Sequence, residues 1–280
     1  SLNPQVIVGT PGRMNDHLNK GNIDASHVHT LVIDEFDKCL EMGFQEEMSE
    51  VIVQIPYLKR RFLLSATDAP AIPRFVSEGD FLKLNFLEDE EQIPERIKVY
   101  TVKSPEKDKL EVLSKLLCYL GDKSSLVFVN YRESVERVYR YLLQAGISCE
   151  MFHGGMEQKD RERALYKFSN GSCNVFVSTD LAARGLDIPN IDHVIHYHLP
   201  LNEDAYIHRN GRTARWDASG NVFLILGPEE YLPEFIQQIP EDYVWEGPKP
   251  DPAKPQWVTL YIGKGKKDKI NKVEETTIVM

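Results

Sequence analysis

The sequence has no run of about 18 apolar residues. Its first residues, SLNPQVIVGTPGR, carry neither the charged start nor the apolar stretch of a secretory leader. A membrane-crossing helix and a cleaved signal are set aside, and a cytoplasmic chain is expected. Cysteine is scarce and scattered: Cys39, Cys118, Cys149 and Cys173 include no CxxC pair, which argues against a disulfide framework or a cysteine zinc site. Positive charge is in deficit, 33 Lys and Arg against 43 Asp and Glu. A protein that coats nucleic acid by bulk attraction is thereby excluded, and any nucleic-acid contact must come from a local basic patch.

What is present is enough apolar material, 42% of 280 residues, to fill ordinary cores. Runs rich in β-branched and aromatic residues read as buried strands: QVIVG (5–9), TLVID (30–34), RFLLSAT (61–67), SLVFVN (125–130), NVFVSTD (174–180), HVIHYHL (193–199) and NVFLILG (221–227). Segments of helical period lie between them, at 107–120, 132–145 and 156–169. Alternation of the two predicts an α/β fold with parallel sheets.

The acidic stretch EDEEQIPERI, with Pro94 inside it, reads as a hinge. The predicted organisation is a first domain at 1–87, a hinge at 88–97, a second domain at 98–228 and an extension at 229–280. The second block holds five or six strands and the first only three before the hinge, so the first domain is expected to be truncated at its N-terminus. The extension contains GPKPDPAKPQ at 247–256, a semi-rigid extended linker, followed by WVTLYIG and the basic run KGKKDK.

Four polar clusters fall at predicted strand ends, where open parallel sheets place their ligands. TLVIDEFD puts Asp34 and Glu35 after an apolar strand; one carboxylate there can hold Mg²⁺ while its neighbour orients water, or the pair can be an acidic helix cap. Ser65 and Thr67 of RFLLSAT can bridge to neighbouring loops or serve as a cap. STDLAARGLD gathers Thr179, Arg184 and Asp187, suited to phosphate and a ribose hydroxyl, or to a solvated loop. HRNGRTAR spaces Arg209, Arg212 and Arg215 by three, which on a helix turns successive side chains by about 60° and spreads them over one face. Such a face suits phosphate; the alternative is a salt-bridged surface.

The order TPGR, DEFD, SAT, FVN, QKDR, STDLAARGLD, HRNGRTAR resembles the DEAD-box family of ATP-dependent RNA helicases. The resemblance covers about residues 4–227 and implies two RecA-like parallel-sheet domains that clamp ATP between them while gripping RNA. It implies that Asp34 coordinates Mg²⁺ through water and that Glu35 positions the hydrolytic water. Asp37, Ser65, Thr67 and His208 would couple hydrolysis to strand separation. Arg212 and Arg215 would stabilise the transferred phosphoryl, with Asp187 at the ribose and Arg209 near the nucleotide. RNA contacts would fall to Thr10, Gly12, Arg13, Gln158, Arg161, Thr179 and Arg184, reaching phosphate and 2′-hydroxyl rather than base edges. Gln158 and Arg161 would share a helix face by their spacing.

Several positions depart from the family pattern. Phe36 replaces an alanine, Tyr131 a threonine, HGG stands for HGD, and Ala214 replaces a glycine. Overpacking by Phe36 near Asp37 would cost on the order of 1–3 kcal/mol. The sequence contains no GxxxxGK[ST] phosphate loop, so the chain alone is expected to show no RNA-stimulated ATPase. WVTLYIGKGKKDKINKV resembles the start of the RRM-like rRNA-binding domain of a bacterial subgroup, which implies a setting in ribosome assembly; an unstructured basic tail is the alternative. A monomer is expected. Two other readings stand beside the helicase: a truncated, non-hydrolysing RNA-binding or partner-docking module, and a DNA-translocating motor.

Overall fold

The computed structural model describes residues 4–65, 72–76, 81–84, 97–183, 191–213 and 219–260. The chain divides into two compact units, 1–85 and 86–280. Most of the hinge expected at 88–97 lies outside the described residues; Ile97 is the buried first residue of a strand.

In the first unit, β1 (Thr30–Ile33) pairs in parallel with β2 (Arg60–Leu63), Val32 opposite Phe62. Helices α1 (Pro11–Asn19), α2 (Phe36–Glu41) and α3 (Gln45–Val53) accompany them. Phe36, Met48 and Val76 form a core with Ile33 and Leu63. Phe36, 1% exposed, lies within this cluster. Met14 and Leu18 of α1 pack with Val51 and Ile55, while Asn15 Nδ2 donates to the Glu47 carbonyl and to Glu50 Oε2 at 3.0 and 2.9 Å.

The QVIVG run is not a strand. Val6 and Val8 are 75% and 92% exposed and pair with no strand among the described residues. β-branched residues favour a strand only where a neighbour accepts the ladder and the faces are covered. Here neither condition holds.

The second unit is built on a parallel sheet ordered β5-β6-β4-β7-β8-β3-β9 among the described residues. Its strands are β3 (Ile97–Lys103), β4 (Ser125–Phe128), β5 (Cys149–Phe152), β6 (Val175–Ser178), β7 (His193–His196), β8 (Gly220–Leu226) and β9 (Glu241–Asp242). Side chains alternate between two cores, as strand geometry requires. Val127, Val177, Ile195, Phe223 and Ile225 face α4 (Leu110–Leu120) and α5 (Arg132–Gln144). Leu126, Phe128, Phe176, Val194, Val222 and Leu224 face α6 (Gln158–Ser169) and Ala183. Helices α7 (Asp180–Ala183) and α8 (Glu203–Asn210) follow β6 and β7. Sheets buried on both faces explain why these strands read as continuous apolar runs.

The extension is not a free linker. β9 pairs with β3, Tyr243 and Trp245 meet edge to face at 5.0 Å, and Lys115 Nζ sits 4.2 Å from the Trp245 ring. Tyr119 donates its hydroxyl to the Gly247 carbonyl at 2.8 Å. Residues 257–260 are described and form no strand; the rest of the region resembling an RRM lies outside the described residues.

Candidate nucleotide and RNA site

In the first unit β1 ends at the acidic turn. Asp34 is exposed, and its Oδ1 accepts the Glu35 N–H at 3.0 Å. Glu35, the N-cap of α2, has φ 48° and ψ 47°, the only positive φ outside glycine among the described residues. A non-glycine residue in this region carries strain of about 1–3 kcal/mol, and such strain gathers at functional sites. The turn is pinned from both sides: Phe36 N–H donates to the Leu64 carbonyl and Leu64 N–H to the Ile33 carbonyl, each at 2.9 Å. Asp37 follows, buried in the first turn of α2, and Ser65 lies exposed just past β2.

Asp34 offers a hard carboxylate oxygen at an open strand end, which fits a Mg²⁺ held mostly by water and phosphate. Among the described residues no group of three or more His, Cys, Asp or Glu side chains could cage a metal. A Mg²⁺ carried on one carboxylate needs no such cage.

Thr10 caps α1 with Pro11 at the first helical position. Thr10 and Gly12 are exposed, and Arg13 pairs with Asp16 at 3.2 Å while remaining 67% exposed. The three residues sit on one helix start held to α3 by Asn15.

In the second unit the site forms at the carboxyl ends of β5, β6, β4 and β7, and two expectations are corrected. Arg209 is not placed to serve a nucleotide. It is 1% exposed, and its five donors are all engaged. Nε and Nη2 clasp Asp180 at 2.6 and 2.7 Å, Nη2 also reaches Asn130 Oδ1 at 2.8 Å, and Nη1 meets the His198 carbonyl at 2.7 Å and His196 Nδ1 at 3.3 Å. Its guanidinium also lies 5.1 Å from the Phe128 ring centre. A guanidinium has five N–H groups, so none is left for phosphate.

Arg209 and Arg212 do not share a helix face either. α8 stops at Asn210 with Gly211 as its cap, and Arg212 lies in the turn beyond. Thr213 then bonds through its hydroxyl to the Ile191 carbonyl. That close approach needs Gly220 opposite, because a Cβ there would collide with the Thr213 side chain. Arg212 and His208 line one pocket with Asp180, Ala183, Ala205, Phe128 and Arg209. Arg215, Asp187, Arg184 and Thr67 lie outside the described residues.

His196 is wholly buried. Because Nδ1 accepts from Arg209, the ring proton sits on Nε2, which donates to Asn210 Oδ1 at 2.9 Å. Desolvation and the neighbouring Arg209 charge push its pKa down to about 3. His198 accepts the Asn130 N–H at 3.1 Å and is pushed down to about 4 by desolvation, then by Lys109.

Gln158 and Arg161 both lie in the first turns of α6. Gln158 is exposed and donates to Glu162 at 3.0 Å, whereas Arg161 turns back to hold the preceding loop at the Met156 and Gly154 carbonyls, 3.1 and 2.9 Å. Thr179 follows β6, and its carbonyl accepts the Ala183 N–H. Residues overlooked in the sequence are Asn130, Asp180, His196, His198 and Asn210. Their signal was available, since FVN, STD, HVIHYH and HRN bring polar side chains to ends of the same buried sheet.

A strained acidic turn in one unit and an arginine-bearing loop anchored at strand ends in the other define a RecA-like, nucleotide-linked class of helicase domain. Two family profiles agree: DEAD/DEAH box helicase over residues 1–74 and the helicase conserved C-terminal domain over 108–217. The DEAD-box ATP-dependent RNA helicase CshA of Geobacillus kaustophilus is 36% identical over 231 residues, covering 81% of this chain and 49% of that protein. The ATP-dependent RNA helicase DbpA of Escherichia coli is 37% identical over 229 residues, covering 81% and 50%. The structure of S. cerevisiae Dbp5 bound to RNA and ADP BeF3 aligns with a TM-score of 0.71 at 29% identity, covering 82% of this chain and 61% of that one. The chain belongs to the DEAD-box helicase family. It spans about half the length of these curated relatives.

Proposed function

We propose that the protein acts in ATP-dependent remodelling of RNA, separating short duplexes or RNA–protein contacts. The observation that carries this reading is the Arg209–Asp180–Asn130 anchor, which fastens three motif segments together at the strand ends and leaves Arg212 in the turn beyond it. ATP with Mg²⁺ supplies the phosphoryl bond whose hydrolysis drives the work. Asp34 would hold the metal through water, Glu35 would orient the attacking water, and Arg212 would meet charge on the transferred phosphoryl; such an arginine is worth about 10³–10⁵ in rate. His208, Asp37 and Ser65 are the coupling residues of this reading.

RNA would be held through phosphate and 2′-hydroxyl by Thr10, Gly12 and Arg13 in one unit and by Gln158, Arg161 and Thr179 in the other. Helix-start N–H groups and a few cations suffice for such contacts, which reconciles RNA binding with a net charge of −10. Ribosomal RNA as target rests on the resemblance of the tail, and a cytoplasmic location on four unpaired thiols. Action as a monomer completes the reading.

Fluorescence anisotropy of this chain with single-stranded RNA and with DNA of the same sequence tests the RNA assignment. Tighter binding to RNA is expected. Equal affinity for the two would favour the DNA-translocating alternative.

A further inference from the structure

Lys109 is the N-cap of α4, yet its side chain is 4% exposed. Its Nζ donates to the Ile225 carbonyl in β8 at 3.0 Å and to Glu230 Oε2 at 2.6 Å, and it stands 5.4 Å from the centre of the Tyr197 ring. Glu230 is itself fixed, because the same Oε2 accepts the Gly227 N–H at 2.8 Å. The ion pair thus joins the start of α4, the end of β8 and the first residues of the extension. Stability does not account for it: a buried ion pair is often no more stabilising than apolar side chains of the same volume.

The pair lies beside the end of β7. Tyr197 and His198 each donate a backbone N–H to the Phe128 carbonyl, at 3.1 and 3.3 Å. From His198 the contacts run unbroken to Arg209. His198 Nδ1 accepts the Asn130 N–H at 3.1 Å, Asn130 Oδ1 accepts from Arg209 Nη2 at 2.8 Å, and the His198 carbonyl accepts from Arg209 Nη1 at 2.7 Å. The Arg209 carbonyl in turn accepts the Arg212 N–H at 3.2 Å.

One link in this chain depends on a proton. His198 Nδ1 accepts the Asn130 N–H only while the ring is neutral with its hydrogen on Nε2; a protonated ring would set two donors face to face. The Tyr131 and Tyr197 rings lie against it, and four charged groups act on it: Lys109 from the start of α4, Glu230 from the extension, Arg209 from α8 and Arg137 from α5. Desolvation is the largest influence holding the ring neutral, with its pKa pushed down to about 4. Lys109 comes next and opposes protonation, ahead of Glu230, which favours it.

We infer that Lys109 is a positioning residue for Arg212: held by Glu230 beside the end of β7, it keeps His198 Nδ1 an acceptor for Asn130, and Asn130 keeps Arg209 and the turn that carries Arg212 in place. Glu230 makes the first residues of the extension part of the same device. This inference rests on the reading of Arg212 given above.

The test begins with the whole 280-residue chain, labelled with ¹³C and ¹⁵N in histidine and followed by NMR from pH 7.5 to 5.0, the His198 signals being assigned with His198→Gln. In the unaltered chain the ring should stay neutral throughout. In Lys109→Met, which keeps the length of the side chain and removes its charge, the His198 midpoint should rise by about one unit or more, and the Asn130 N–H should lose protection from exchange as the ring protonates. Lys109→Met combined with Glu230→Gln should fall back towards the unaltered chain, which a packing role for the lysine would not produce. In a protein completed by a segment with a GxxxxGK[ST] phosphate loop, RNA-stimulated phosphate release by Lys109→Met should drop about tenfold for each pH unit below the raised midpoint. An unmoved His198 midpoint in Lys109→Met, or a double variant no different from the single one, would overturn the inference. So would a pH profile of release that Lys109→Met leaves unchanged. Absence of stimulated release from the completed protein would remove the reading of Arg212 and this role with it.

Discussion

Arg209 and Asp180 form a two-pronged ion pair, at 2.6 and 2.7 Å, at the strand ends of the second unit. The pair joins the helix of HRNGR to that of STDLAAR, and Arg209 at 1% exposure makes it internal architecture. Removing one partner leaves a buried charge without compensation, which costs about 3–5 kcal/mol. Asp180→Ala and Arg209→Ala should each lower the unfolding free energy of the second unit, measured by urea titration, by that order. Arg209→Lys should fall almost as far, since an ammonium cannot reproduce the fork.

Acid should loosen the same region. His196 and His198 have folded pKa values near 3 and 4, against about 6.5 in an unfolded chain. Below 6.5 the unfolded state binds protons that the folded state refuses, so their contribution to stability is whole above that pH and is lost as pH falls towards 4. Each contributes a slope of about 1.4 kcal/mol per pH unit in that window. Urea titrations at pH 7.5, 6.0 and 5.0 should show the decline, and His196→Gln should reduce its steepness even though it lowers stability overall.

Strain at Glu35 sets stability against function. Glu35→Gly releases the left-handed backbone and should stabilise the first unit by roughly 0.5–1 kcal/mol. Glu35→Gln, which keeps the strain, should not. Chemical denaturation of the two variants separates them; a destabilised Glu35→Gly would contradict the reading of this turn.

Lys109 fastens the start of the extension. Its side chain is 4% exposed and donates to Glu230 Oε2 at 2.6 Å and to the Ile225 carbonyl at 3.0 Å. Desolvation lowers its pKa despite Glu230. Glu230→Ala should cost roughly 1–3 kcal/mol and expose residues 229–260 to protease, whereas Lys109→Met, which removes the buried charge, should cost less.

Most strands of the second unit were legible because a sheet buried on both faces needs unbroken apolar runs. β3 was passed over although Ile97 and Val99 alternate with Lys98 and Tyr100, the pattern of a half-covered strand. QVIVG misled because β-branched residues report a preference that only a pairing partner realises. The arginine triplet misled for a related reason: spacing by three implies one face only while the helix continues, and α8 ends at Asn210. Identities at the site were legible as motifs, yet roles depended on burial. Nothing in the string HRNGR tells that its first arginine turns inward to Asp180 and only Arg212 lies beyond the helix.

The most direct test of the central claim is RNA-stimulated phosphate release. A chimera joining a segment that carries a GxxxxGK[ST] phosphate loop to this chain would be assayed with ATP, Mg²⁺ and RNA. The account predicts that RNA stimulates hydrolysis and that Arg212→Ala lowers the stimulated rate by about 10³ or more with RNA affinity retained. Equal rates for the chimera and its Arg212→Ala variant would contradict it.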